Sequence, residues 1–193
     1  MKKVFGWCVL GLLAVSLTAA ASAQSVDGFV GLDTLLTPPG PSSLPKLGGG
    51  AYINAGGDLI FLPYHLGIGG DATWRATQQD YLGAAARPIY YDFNLVWDPS
   101  PTDSRYRPDF AIGVGMQSLR FYNTVNCGAF GCSYPSSHHF VLHAAVGLKI
   151  YLSDHLFLRP AVNYFNIRHN YEYGVPSAWQ VGVSIGYTLG SSS

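Results

Sequence analysis

The sequence predicts an all-β fold, an eight-stranded antiparallel up-and-down transmembrane β-barrel preceded by a cleaved signal peptide. Three observations predict it. Residues 178–189 alternate strictly: Trp179, Val181, Val183, Ile185 and Tyr187 form an apolar face, and Gln180, Gly182, Ser184 and Gly186 a small or polar one. Two-residue alternation over that length is a strand with two unlike faces. The chain opens with an export signal, and between that signal and the last strand similar segments recur, separated by Gly, Pro, Asn, Asp and Ser.

The export signal is read first. Lys2 and Lys3 give a charged start, Val4 to Ala21 is almost wholly apolar or small, and Ala21-Ser22-Ala23 has the small–x–small form of a peptidase site. Residues 1–23 are therefore expected to leave as a signal peptide, with residues 24–193 forming one barrel domain. The rival is an uncleaved membrane helix, and the Gln-Ser-Val-Asp that follows the Ala/Ser-rich end favours cleavage. Cys8 sits inside the apolar run, after Phe-Gly-Trp, which is no lipobox. Although 48% of the chain is hydrophobic, no apolar run after Ala23 approaches the ~20 residues of a spanning helix. Without Lys2 and Lys3, 9 basic residues face 11 acidic ones. That balance offers no basic surface for nucleic acid.

Strands are expected at 27–37, 48–61, 66–77, 88–98, 108–123, 138–152, 156–170 and 178–189. Each can supply the ~9–11 residues of a tilted membrane strand, and an even number suits a closed antiparallel wall. The connections 38–47, 78–87, 124–137 and 171–177 are mostly longer than 62–65, 99–107 and 153–155. Bacterial outer-membrane barrels have short periplasmic turns and long external loops, so both termini are expected in the periplasm.

The faces agree from strand to strand. Ile89, Tyr91, Phe93, Leu95 and Trp97 alternate with Tyr90, Asp92 and Asn94, and Phe140, Leu142, Ala144 and Val146 alternate with His143, Ala145 and Gly147. A soluble barrel would turn the apolar set inward. Here the polar set is rich in Gly and Ala with scattered charges, which suits a narrow interior, and the apolar set carries Trp74, Trp97, Tyr164, Trp179 and Tyr187 as interface girdles. Eight strands enclose a lumen that side chains can fill. Its polar network is expected to be Asp33, Asp58, Asp71, Arg75, Asp92, Lys149 and Arg159, with Thr73, Asn94, Gln117 and Asn163 beside them. Charges in a dry lumen must pair, because an unpartnered buried charge costs several kcal/mol.

Two motifs carry a resemblance. The run from Gln180 to Tyr187, polar–x–Gly–x–x–apolar–x–aromatic, resembles the C-terminal assembly signal of outer-membrane barrels. Residues 147–164, Gly-Leu-Lys-Ile-Tyr-Leu-Ser-Asp-His-Leu-Phe-Leu-Arg-Pro-Ala-Val-Asn-Tyr, are similar to a hairpin of the OmpA-like and opacity-type outer-membrane β-barrel proteins. The likeness extends over the mature chain in layout and is sharp over about residues 138–189; the chain departs from it in ending Gly-Ser-Ser-Ser. The resemblance implies a bacterial outer-membrane location and contact with outer-membrane lipid. It also implies recognition by the β-barrel assembly machinery through the final strand.

Chemistry is sparse. Some barrels of this size act on lipid A, which would need a Ser nucleophile, a His base and an orienting acid. The candidates are His143 or His169 with Ser118 and Glu172, but no spacing joins them into a motif and His143 and Ser118 fall on opposite faces. No catalytic residue, cofactor or metal is expected. Cys127 and Cys132 are expected to form a disulfide in an oxidising export compartment; a metal site using His138 and His139 is the alternative, and adjacent strand residues point to opposite faces. External Tyr122, Phe130, Tyr134, Tyr171 and Tyr173 are candidates for a binding surface. The expectation is a structural or surface-interaction barrel with a filled lumen. The alternative is a small-solute transporter or a lipid A-modifying enzyme on the same scaffold.

Overall fold

The computed structural model describes residues 25–101, 104–122, 126–128, 131–133 and 136–190. The expected signal peptide, and the side chains of Cys127, Phe130, Cys132 and Tyr134, lie outside the described residues. Among the described residues eight long strands form the wall: β1 (Ser25–Leu36), β2 (Ala51–Leu62), β3 (Leu66–Arg75), β4 (Ala84–Trp97), β5 (Tyr106–Phe121), β6 (Ser136–Tyr151), β7 (Leu156–Ile167) and β8 (Ser177–Leu189). Each pairs antiparallel with its chain neighbours, and β8 pairs with β1. The sheet is closed, so every wall strand has two partners and no edge is left to lipid.

The alternation read from the sequence sorts the side chains across this wall. In β8, Ala178, Gln180, Ser184 and Thr188 are buried while Trp179, Val181, Val183, Ile185 and Tyr187 are exposed on the outside. Phe93, Ile112, Phe140 and Val146 are likewise exposed, and Asn94, Ala111, Val141 and Ala145 buried. The outer face is apolar and the polar side chains of the strands turn inside, the reverse of a soluble barrel.

The wall is staggered. Following the ladder once around from Val26 through Leu59, Ile68, Leu95, Ile112, Ala144, Tyr164 and Trp179 returns to β1 at Leu36, ten residues beyond Val26. A stagger of this kind goes with tilted strands. A level ring therefore steps back slightly more than one residue per strand relative to the ladder.

Strand limits differ from expectation at the far end, the end remote from the termini. β2 begins at Ala51 and not at 48, because Gly49 and Gly50 turn the chain at φ of 83° and 81°, a region glycine enters at no steric cost. β4 begins at Ala84, before Pro88, since proline costs a strand one ladder donor without ending it here. Its extension pairs with a short strand, Gln79–Tyr81, above the wall. The connections then run 37–50, 76–83, 122–135 and 168–176 at the far end, against 63–65, 98–105 and 152–155 at the terminal end. In the 63–65 turn Tyr64 and His65 both take positive φ, and His65 is tied to Asp98 by an N–H···O bond of 3.1 Å from Asp98.

Candidate functional site

The lumen is the place where polar side chains converge, and it has three layers. At the terminal end β6 delivers Lys149, fully buried, between the carboxylates of Asp27 on β1, Asp58 on β2 and Asp98 just past the end of β4. Its Nζ lies 2.5 Å from Asp27, 3.7 Å from Asp58 and 3.9 Å from Asp98. Arg107 at the start of β5 meets Asp98 at 2.6 Å, and Arg159 of β7 meets Asp109 through Nε at 2.9 Å and Nη2 at 2.5 Å. Thr188 donates to Asp27 at 2.7 Å. The Arg159 guanidinium also covers the Phe29 ring at 4.8 Å. Small residues make the room: a Cβ on Gly147 would stand 2.5 Å from Asp109 Oδ1.

The middle layer is held by amides. Asn54 and Gln180 both donate to Asp33, the latter at 2.5 Å, and Ser184 donates to Asn54 at 3.1 Å. A Cβ on Gly182 would collide with the Asp33 carboxylate. Asp71 and Asp92 are ladder partners, an arrangement that like charges disfavour. Asn94 donates to Asp92 at 2.5 Å and to Asp71 at 3.4 Å, and His143 Nδ1 lies 3.2 Å from Asp92 and 2.8 Å from Asn94 Oδ1. His143 Nε2 faces Asn163 Oδ1 at 3.2 Å. Side-chain oxygens thus stand at both ring nitrogens of His143. Asp71, Asp92 and His143 could also offer three ligand atoms to a cation, all within 4.8 Å of one another.

The far layer is apolar. Leu35, Tyr52, Tyr90, Leu119, Val141, Phe165, Ile167 and Ala178 from the wall pack with Leu47 of the first far loop and Tyr173 and Val175 of the last. Tyr81 and Phe121 close over them. A ring stack joins this plug to the layer below, with Phe165 4.9 Å from both Tyr90 and His143. Gln117 donates to the Tyr90 hydroxyl at 3.0 Å. Burial pushes the Tyr173 phenol well above its ordinary range, and Gln79 donates to its oxygen at 2.5 Å.

Three proteins of solved structure are similar to this chain. The attachment invasion locus protein Ail of Yersinia pestis is 14% identical, with 86% of this chain and 98% of Ail covered at a TM-score of 0.54. The N-terminal β-barrel domain of Pseudomonas aeruginosa OprF is 11% identical, with 86% and 98% covered at 0.59. OprG of the same organism is 13% identical, with 88% and 98% covered at 0.59. The fold is that of the eight-stranded, OmpA-like outer-membrane β-barrels. At these identities the likeness is one of fold. No protein-family model matches the sequence, and neither does any curated protein.

Within that barrel the expected lumen residues separate. Asp58, Lys149 and Arg159 lie in the terminal-end cluster, and Asp33, Asp71 and Asp92 in the middle layer with Thr73, Asn94 and Asn163. Arg75 lies at the far rim, bonded to the Gln79 side chain and not to a carboxylate. Asp27, Asp98, Arg107 and Asp109 are members that sequence reasoning missed. Asp27, Asp98 and Asp109 fall at the ends of the expected strands 27–37, 88–98 and 108–123 with inward parity, and Arg107 lies one residue before the last of these, so following the alternation to and just past the strand ends would have found all four.

The candidate catalytic residues do not assemble. Ser118 is opposite His138 in the β5–β6 ladder and His143 is opposite Gly113, five rungs away. Glu172 faces His139 Nε2 at 2.7 Å, and not His169. His138 and His139 part to opposite faces, with His138 bonded to the Ser136 hydroxyl at 3.0 Å. Tyr173, expected on the external surface, is 1% exposed in the plug, whereas Tyr171 is 75% exposed. The backbone places Cys127 directly opposite Cys132 in a short two-stranded ladder.

Proposed function

We propose that this protein is a bacterial outer-membrane barrel with a structural or surface-interaction role, whose lumen passes no solute and catalyses no reaction. The observation that carries the reading is the double closure of the lumen, by buried ion pairs at one end and by a loop-covered apolar plug at the other. A charged solute would have to part Lys149 from its carboxylates and then cross Tyr90, Phe165 and Tyr173. The separation of Ser118 from His143 supports the absence of an acyl-transfer site. The outward belt of Phe93, Ile112, Phe140 and Val183 meets lipid, and the final strand is the segment offered to the assembly machinery. The longer connections 37–50, 122–135 and 168–176 face the cell exterior, which leaves the termini in the periplasm. They are the elements able to meet an external ligand; Ail, of similar fold, has been solved in complex with the heparin analogue sucrose octasulfate.

The test is labelling of single cysteines on intact cells with a membrane-impermeant maleimide, in a background lacking Cys127 and Cys132. Cysteine at Ser42 should react and cysteine at Ser153 should not. The opposite pattern would invert the orientation, and recovery in the soluble periplasm would remove the barrel from the membrane.

A further inference from the structure

We infer that Asp71, Asp92 and His143, in the middle layer of the lumen, bind one divalent transition-metal ion, with Asn94 beside them as a neutral oxygen ligand. The wall itself brings the four together. Asp71 on β3 is the ladder partner of Asp92 on β4, and Asn94 follows two residues along the same inward face. His143 on β6 reaches them over Gly113 and Gly115 of the intervening β5. Both glycines leave the room that this takes. A Cβ on Gly113 would collide with Asn94 Oδ1, and one on Gly115 would stand 2.6 Å from the Asp92 Cβ.

Charge is the first reason for a cation here. The terminal-end cluster sets Asp27, Asp58, Asp98 and Asp109 against Lys149, Arg107 and Arg159, and so has no positive charge to lend. In the middle layer Asp33 is held by the amides of Asn54 and Gln180. Asp71 and Asp92 share a single amide, that of Asn94. Among the described residues neither forms an ion pair with a lysine or arginine. Like charges facing each other on neighbouring strands, out of water, are destabilising. A doubly charged ion between them cancels both and leaves His143 neutral, the form in which imidazole ligates a metal.

The imidazole is the second reason. The His143 side chain is 1% exposed, and oxygens face both of its nitrogens. A neutral imidazole has one N–H for these two sides. With it on Nε2, toward Asn163 Oδ1, the buried Nδ1 presents its lone pair to Asp92 Oδ1 at 3.2 Å and Asn94 Oδ1 at 2.8 Å. The Asn94 amide nitrogen is already spent on Asp92 and Asp71. A lone pair aimed at oxygens marks the place of a cation. Atoms ~2.0–2.2 Å from one zinc ion lie ~3–4 Å apart, the spacing that Nδ1 keeps from Asp92 Oδ1. The Asp71 oxygen, within 4.8 Å of both, closes the third side by a small turn of its carboxylate. Asn163 then serves as the outer partner that orients a metal-bound histidine. One imidazole among oxygens selects a borderline ion such as zinc over magnesium or calcium. The two closures proposed above seal the site, so the ion enters while the barrel folds.

The test uses the full mature chain without an affinity tag, carrying Cys127→Ala and Cys132→Ala so that no thiol competes. It is refolded into phosphatidylcholine vesicles over a series of chelator-buffered zinc concentrations. Heat-modifiable gel mobility reports folding, and elemental mass spectrometry counts the metal kept by the folded protein. One zinc per chain is expected, and none in D71N or H143Q. N163A keeps every ligand and should need about 10–100-fold more free zinc for the same occupancy. Copper refolded into the unaltered site gives a reading that needs no ligand variant to fold. Its electron paramagnetic resonance should show coupling to a single imidazole nitrogen, and coupling to none or to several would overturn the site. Folded protein that takes up no zinc would mean that a proton joins the two carboxylates, and would overturn it too. So would zinc kept undiminished by folded D71N and H143Q. Zinc held through these residues but lost at once to added chelator would uphold the site and contradict the closed lumen instead.

Discussion

The two ends of the lumen are closed by opposite chemistries. At the terminal end Lys149, Arg107 and Arg159 are locked to Asp27, Asp58 and Asp109 from the strands and to Asp98, the residue that follows β4, and each partner comes from a different point in the sequence. At the far end Tyr52, Tyr90, Leu119 and Phe165 need Leu47, Tyr173 and Val175 from the loops to complete their packing. The ionic end depends on register, because a buried charge without its partner is costly. The apolar end depends on shape and tolerates adjustment, because its lid is made of loops. The difference teaches that one narrow wall can be sealed by pairing where turns are short and by packing where loops are long.

The largest break should come from Lys149→Met, which leaves Asp27, Asp58 and Asp98 facing one another. Loss of about 3–5 kcal/mol is expected for a buried pair broken on one side, read by equilibrium urea unfolding in lipid vesicles. A loss below about 1 kcal/mol, the range of an exposed pair, would mean that water reaches this end and the two halves are alike. Leu119→Ala in the plug should cost less, toward the low end of the ~2–5 kcal/mol of core truncations, since the loops can settle into the space. If it equals or exceeds the Lys149→Met loss, the plug is as rigid as the ionic end. Smaller again is Tyr90→Phe, which removes the hydroxyl that takes the Gln117 bond; about 1 kcal/mol is expected. The smallest effect on the wall should follow Cys127→Ala with Cys132→Ala. The bond we propose there closes a short loop outside the barrel, so the unfolding midpoint should hold while proteolysis within 122–135 quickens. A shifted midpoint would tie that loop to the plug.

Most of the wall was legible in the sequence because a two-residue period is a local property. Trp179, Val183 and Ile185 declare their face without knowledge of any partner, and so do Asp33, Asp58 and Lys149. What the period cannot carry is register, and the network is made of register. Lys149 meets Asp27 across 122 residues, a pairing visible only once the barrel has closed. Asp33 illustrates a second limit. Opposite charge is the expected partner of a buried carboxylate, yet two neutral amides hold it, because donors from Asn54 and Gln180 satisfy its oxygens without a base. The plug was hidden for a related reason. Leu47 and Tyr173 lie in segments that read as loops, and loop residues show no period to reveal that they turn inward. Tyr173 was accordingly placed on the surface when it belongs to the core.

The central claim is that both seals hold together and the barrel does not conduct. Single-channel recording of the refolded wild-type protein in a planar bilayer tests it most directly. The account predicts a flat baseline under an applied potential of either sign, with the protein shown to be inserted and folded by its heat-modifiable gel mobility. Reproducible current steps from that folded protein would contradict it, and would mean that ions pass between Lys149 and its carboxylates and through the plug above them.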